Sequence, residues 1–154
     1  MVRLDPIPFD QVRSITFSVK DLQGLELTIV LFSRAKQRYA RITVALQNDT
    51  SVEAPWANPI VCDTPISEKK FRRYFSAIQS FDVEGWKAQY GDASEGDSWS
   101  FRIEMKDGYV IHSQGCGDYP AEWFELVYLY DQLCPFWRCF ATRRRAMPIG
   151  IVAG

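Results

Sequence analysis

One histidine, four irregularly spaced cysteines and no glycine-rich phosphate loop leave this 154-residue chain poor in the residues that carry chemistry. Structural zinc needs three or four Cys or His ligands with a close pair. Cys62, Cys116, Cys134 and Cys139 offer only a pair split by four residues that include Pro135. Five steps along a helix would also turn the second thiol away from the first. Asp92, Glu95 and Asp97 lack the ligand spacing of an EF-hand loop. His112 precedes Cys116 by four residues, roughly 13 Å along an extended strand, too far for a nucleophile and its base to share a hydrogen bond. The carboxylates nearest to acid-base spacing, Glu104, Asp118 and Glu122, read as a solvent-facing strand residue, a helix cap and a partner for a helix dipole. The sequence thus predicts neither cofactor nor metal, and no enzyme. An enzyme with an unrecognised site ranks third among the functional readings.

Long apolar runs are missing too. The most apolar stretch, residues 123–140, is interrupted by Glu125, Asp131, Gln132, Pro135 and Arg138, short of the roughly 20 residues a spanning helix needs. The first eight residues hold Asp5, Pro6 and Pro8 where a signal peptide needs an unbroken apolar segment. Eighteen basic and nineteen acidic residues give a net charge of -1, so no overall field draws the chain to nucleic acid or to an anionic membrane. Too few cysteines for a disulfide framework imply reduced thiols and a cytoplasmic location.

What the chain does have is core material: 47% hydrophobic residues, five Trp, seven Tyr and ten Phe, enough for one domain over residues 1–154. Three stretches alternate apolar and polar residues. They are Ile15, Phe17, Val19; Leu25, Leu27, Ile29, Leu31; and Ala40, Ile42, Val44, Leu46. Period two with one polar face predicts half-buried strands, and the short connections at 21–24 and 33–37 predict an antiparallel meander. Residues 47–63, with Asn48, Pro55, Trp56 and Pro59, read as a long loop or an edge strand around Ile60 and Val61.

Phe71, Tyr74, Phe75 and Ile78 recur at helical spacing after Thr64 and Pro65, which read as its N-cap and first turn. The next hairpin has a derivable register. A three-residue loop at 106–108 pairs Met105 with Tyr109, Ile103 with Ile111 and Phe101 with Ser113, keeping apolar sides together and giving Gly108 the left-handed position. Ser100, Arg102 and Glu104 then face outward opposite Gln114, His112 and Val110. Asp118 reads as the N-cap of a second helix with the stripe Trp123, Leu126, Val127, Tyr130, Leu133. Pro135 ends or kinks that helix, and residues 135–154 read as a less ordered extension. The predicted fold is α+β: a mainly antiparallel sheet of about five strands with two helices on one face, in the order β-β-β-α-β-β-α.

Basic residues occur in three groups: Lys69, Arg72 and Arg73 opposite the first helix's apolar stripe, Arg34, Lys36, Arg38 and Arg41 around the second hairpin, and Arg143 to Arg145. Scattered over three elements and balanced by acids, they read as solvated faces; nucleic-acid binding by the first helix is the runner-up reading. Another protein is the favoured partner, with Trp56, Arg102, Glu104 and His112 as further binding candidates, and no membrane is involved.

Trp86, Tyr90, Trp99, the 106–108 turn, Gly115, Tyr119, Pro120 and Trp123 resemble a widespread set of small bacterial proteins with no settled activity. Their carboxy-terminal halves carry a Trp, a Tyr, an Asp-Gly-x-x-Trp strand, a hairpin and a Gly-x-Asn-Ala-Tyr-Pro turn into a helix. The resemblance covers roughly residues 66 to 134 and departs at Glu95 to Trp99 and at Gly117 and Asp118. It implies the fold and, by analogy with small bacterial and phage proteins of this build, an immunity protein or inhibitor that binds one macromolecule.

Overall fold

A computed structural model of the chain describes residues 9–20, 25–46, 60–91 and 97–133. The expectations for Trp56, for the loop at 47–59, for Cys134, Cys139 and Arg143 to Arg145, and for a 135–154 extension lie outside the described residues. The strands are β1 (Val12–Lys20), β2 (Leu25–Arg34), β3 (Gln37–Leu46), β4 (Ile60–Ile66), β5 (Gln89–Tyr90), β6 (Ser98–Met105) and β7 (Val110–Cys116). The helices are α1 (Glu68–Ser80) and α2 (Trp123–Leu133). One sheet of seven strands runs β4-β3-β2-β1-β6-β7-β5, antiparallel except where β5 lies parallel to β7. Among the described residues no helix is long and apolar enough to cross a membrane.

The α+β class and the two helices on one face follow the sequence; the strand number does not. β4, which takes the edge-strand alternative read around Ile60 and Val61, and β5, which the sequence pattern does not predict, enlarge the predicted five strands to seven. Thr64 and Pro65 are the reason β4 escapes a helical reading. They pair with Ala40 and Tyr39 on an edge strand, where a proline's missing N–H costs no ladder bond. Ser67 is the true cap of α1, its Oγ accepting from Lys70 N at 3.1 Å. β5 is only two residues long, too short to leave a periodic signature.

The β2–β3 connection is tighter than the five residues predicted. Arg34 pairs with Gln37, and only Ala35 (φ 52°) and Lys36 (φ 68°) turn the chain. Two left-handed residues in a two-residue loop match the twist of the flanking strands, here without Gly or Asn. The later hairpin has the derived register: Ile103 faces Ile111, Phe101 faces Ser113, Met105 N donates to Tyr109 O at 2.8 Å, and Gly108 sits at φ 95°.

Alternation sends one side of every long strand inward. Ile15, Phe17, Val19, Leu27, Ile29, Leu31, Ala40, Ile42, Val44, Trp99, Phe101 and Ile103 are buried against Phe71, Tyr74, Phe75 and Ile78 of α1 and Trp123, Leu126, Val127 and Tyr130 of α2. Each fully buried Val, Leu, Ile or Phe among them contributes about 1.5–3 kcal/mol by leaving water. Phe17 is the hub, with ring centroids 4.8 Å from Tyr130, 5.6 Å from Trp123 and 6.4 Å from Phe101. Asp118 is not the N-cap of α2, which begins at Trp123. Its carboxylate instead accepts from Tyr119 N at 3.0 Å, and Trp99 Nε1 donates to its carbonyl at 2.8 Å.

Candidate functional site

Both helices pack on one face of the sheet, so the other alternating set of side chains is left looking outward with no described helix over it. Cross-strand pairing arranges that open face in rows. One row, from β4 to β7, reads Asp63, Arg41, Val30, Thr16, Arg102, His112. The next reads Val61, Thr43, Thr28, Ser18, Ser100, Gln114 and ends on Gln89 of β5. A third runs Ala45, Glu26, Lys20, Ser98, Cys116. The centre therefore carries short hydroxyl side chains, with Ser18 Oγ 3.1 Å from Thr28 Oγ1 and 3.4 Å from Glu26 Oε2. Short side chains over the middle strands leave a polar notch of about 340 Å³ bordered by Ser18, Lys20, Glu26, Ser98, Ser100, Gln114 and Cys116.

The β2–β4 end of this face carries an ion-pair and aromatic cluster. Arg41 grips Asp63 through two hydrogen bonds of 2.8 and 3.0 Å, and Arg34 lies 3.9 Å from the same carboxylate. Phe32 and Tyr39 stack at 5.7 Å, with Arg34 over both rings and Arg41 over Phe32. The hydrogen bond from Arg41 is the largest effect on the Asp63 carboxyl and holds it below its ordinary value; burial opposes it, and the charges of Arg41 and Arg34 add smaller lowering effects. Arginine and aromatic side chains are the residue types enriched where proteins grip other proteins, whereas Ser and Thr are under-represented among the anchors, so the Phe32, Tyr39, Arg34, Arg41 cluster is the part of this face with that character.

Arg102, Glu104 and His112 stand together on this face, as the register predicted. Lys69, Arg72 and Arg73 do not join them: they project from α1, in the opposite layer. One pair of cations from different groups does meet: Glu68 Oε1 lies 3.0 Å from Arg38 Nε and its Oε2 3.3 Å from Arg72 Nη2, so β3 and α1 bring one cation each to one corner. Sequence spacing hid this because Arg38 and Arg72 are 34 positions apart. The Phe32, Tyr39, Arg34, Arg41 cluster was missed for the same reason, although the run of Ser14, Thr16 and Ser18 on the polar side of β1 already signalled a face without bulk.

His112 and Cys116 lie on one face of β7, four residues apart, and so roughly 13 Å from each other. Glu122 accepts from Trp86 Nε1 at 3.0 Å. Among the described residues no group of three or more His, Cys, Asp or Glu gathers in a way that could hold a metal. No protein-family model matches the chain, and no curated protein matches it.

Proposed function

We propose that the chain is a non-catalytic module of bacterial or phage origin that binds another protein through the open face of its sheet and inhibits or neutralises it, in the manner of an immunity or anti-defence protein. The observation that carries this reading is the face itself: six aligned strands presenting Ser and Thr at their centre, with an arginine–aromatic cluster at one side and Arg102, Glu104 and His112 at the other. Short hydroxyls lose little rotamer freedom on binding and can donate or accept, while Tyr39, Arg34 and Arg41 supply the large anchors. Cys62 and Cys116 are reduced, in accord with a cytoplasmic setting. A photo-reactive residue at position 16 should cross-link one protein in bacterial lysate. Ser100→Arg, which fills the notch, should abolish that product while leaving the fold intact. Capture unaffected by Ser100→Arg would exclude the face as the interface.

A second reading, nucleic-acid binding at the corner where Arg38 and Arg72 share Glu68, draws support from that convergence and from Phe71 lying 4.2 Å beneath Arg38. The acids Asp63 and Glu68 inside the cluster weigh against it, because each already neutralises cations that phosphates would need.

A further inference from the structure

The two helices of the outer layer carry opposite charge. α1 holds Lys69, Lys70, Arg72 and Arg73 against Glu68 alone, whereas α2 holds Glu125 and Asp131 and no cation. α2 also exposes two rings one turn apart, Phe124 at 64% and Tyr128 at 61% of their full surface. On the outward side between the helices lies a groove of about 290 Å³, with Tyr74, Leu129 and Leu133 as its apolar wall and Lys70 and Arg73 on its rim. A ring flanked by a carboxylate is the complement of that groove, and α2 presents both.

We propose that the helix layer is a self-association surface: the Phe124, Tyr128 and Glu125 flank of one copy docks on the groove and the Lys70 and Arg73 rim of a second copy. The acidic helix then faces the basic helix twice across a two-fold axis, an isologous contact that closes at the dimer. Charge complementarity selects this occupant, since both matching surfaces belong to the same molecule and like helices would repel. The open sheet face stays free on the outside of the pair, so the dimer is compatible with partner binding but does not depend on it.

Analytical ultracentrifugation of the full-length chain tests this without any variant. A reversible dimer should form at low salt and weaken about tenfold at high salt; a monomer at every concentration and salt would overturn the proposal. Lys70→Glu with Arg73→Glu, which sets carboxylates against Glu125, and separately Glu125→Lys, which sets a cation against Lys70 and Arg73, should each be monomeric because each places like charges across the contact. Mixed in equal amounts, the two variants should form a heterodimer. Tyr128→Ser should weaken the wild-type dimer, and Ser100→Arg on the far face should not. All these positions are exposed or half-exposed, and thermal melting checks that the variants fold. A dimer indifferent to the reversals, no heterodimer on mixing, or a photo-reactive residue at 124 that cross-links only within its own chain would each refute it.

Discussion

The hydroxyls of Tyr74 and Tyr130, one from each helix, meet at 2.7 Å beneath the surface, with their rings edge-on at 5.2 Å. Tyr74 is 2% and Tyr130 0% exposed, so this is a polar contact made where water does not reach. It fixes the register of α1 on α2. Tyr74→Phe or Tyr130→Phe should each lower unfolding free energy by about 1 kcal/mol, the net worth of such a bond plus part of the desolvation of the remaining hydroxyl. The double variant should lose less than the sum, because the second change removes a hydroxyl that has already lost this bond. Additive losses in chemical denaturation would mean that the two hydroxyls do not act as a pair.

The β2–β3 turn can be improved. Ala35 and Lys36 both adopt left-handed backbone, at a cost that glycine or asparagine does not incur. Ala35→Asn with Lys36→Gly should raise stability by about 1–2 kcal/mol with no change in the strands it joins. A fall in melting temperature would show that the Lys36 side chain contributes more than its strain costs.

Two glycines should fail differently. A methyl group at Gly115 would stand 2.6 Å from Trp99 Nε1 and 2.8 Å from the Asp118 carbonyl, the two ends of a hydrogen bond that seats Trp99. Gly115→Ala should therefore cost about 2–3 kcal/mol through forced displacement. Gly108 has open space around it and only a φ of 95° to protect, so Gly108→Val should cost about 1 kcal/mol or somewhat more through backbone strain alone. Urea melts of both variants distinguish crowding from strain by size.

Gly108 and Gly115 mark how far the sequence could be read. Local period was legible in the alternation of β1 to β3 and the stripe Phe71, Tyr74, Phe75, Ile78, and Gly108 revealed the hairpin register that set Arg102 opposite His112, whereas the β2–β3 turn was not legible because Ala35 and Lys36 carry no glycine or asparagine signal. Features made by partners distant in sequence were not. Thr64 and Pro65 look like a helix start until β3 supplies their pairing, and Asp118 looks like a cap until Trp99 and Tyr119 claim it. The open face was half legible. Its residues could be assigned to the polar side of each strand, but which rows they form depends on a strand order, β1 beside β6, that no short-range signal encodes.

Acid and alkali should act on different groups. The Asp63 carboxyl is held low by Arg41, so its contribution is complete above the ordinary carboxylate range and is lost as pH falls through the lowered value. The wild type should lose more melting temperature than Asp63→Asn between about pH 5 and pH 2. Burial, then the charges of Asp97, Cys116 and Asp118, raises the Tyr119 phenol above its usual 10.0. A raised value means that stability is complete below the unfolded pKa and is lost as pH climbs through the folded one. Tyr119→Phe should flatten the alkaline limb above about pH 10 and leave the acid limb unchanged.

The choice between a protein and a nucleic acid as partner turns on salt and on which face is altered. Phosphate contacts release counterions, so a nucleic acid held by α1 would lose affinity steeply with salt, and Lys69→Glu, Arg72→Glu and Arg73→Glu together would abolish binding. A protein seated on the sheet should be sensitive to Ser100→Arg and to Tyr39→Ala, should lose only part of its affinity between about 50 and 200 mM salt, and should tolerate the triple reversal on the opposite layer. We expect the second pattern. The row from Val61 to Gln89 carries no charge, and of the cations on either side of it Arg41 is already engaged with Asp63. Titrating the captured partner, and separately a single-stranded and a double-stranded oligonucleotide, against the wild type and these variants at both salt concentrations decides it. A steep salt slope with an unaffected Ser100→Arg would assign the binding surface to α1 and overturn the sheet-face reading.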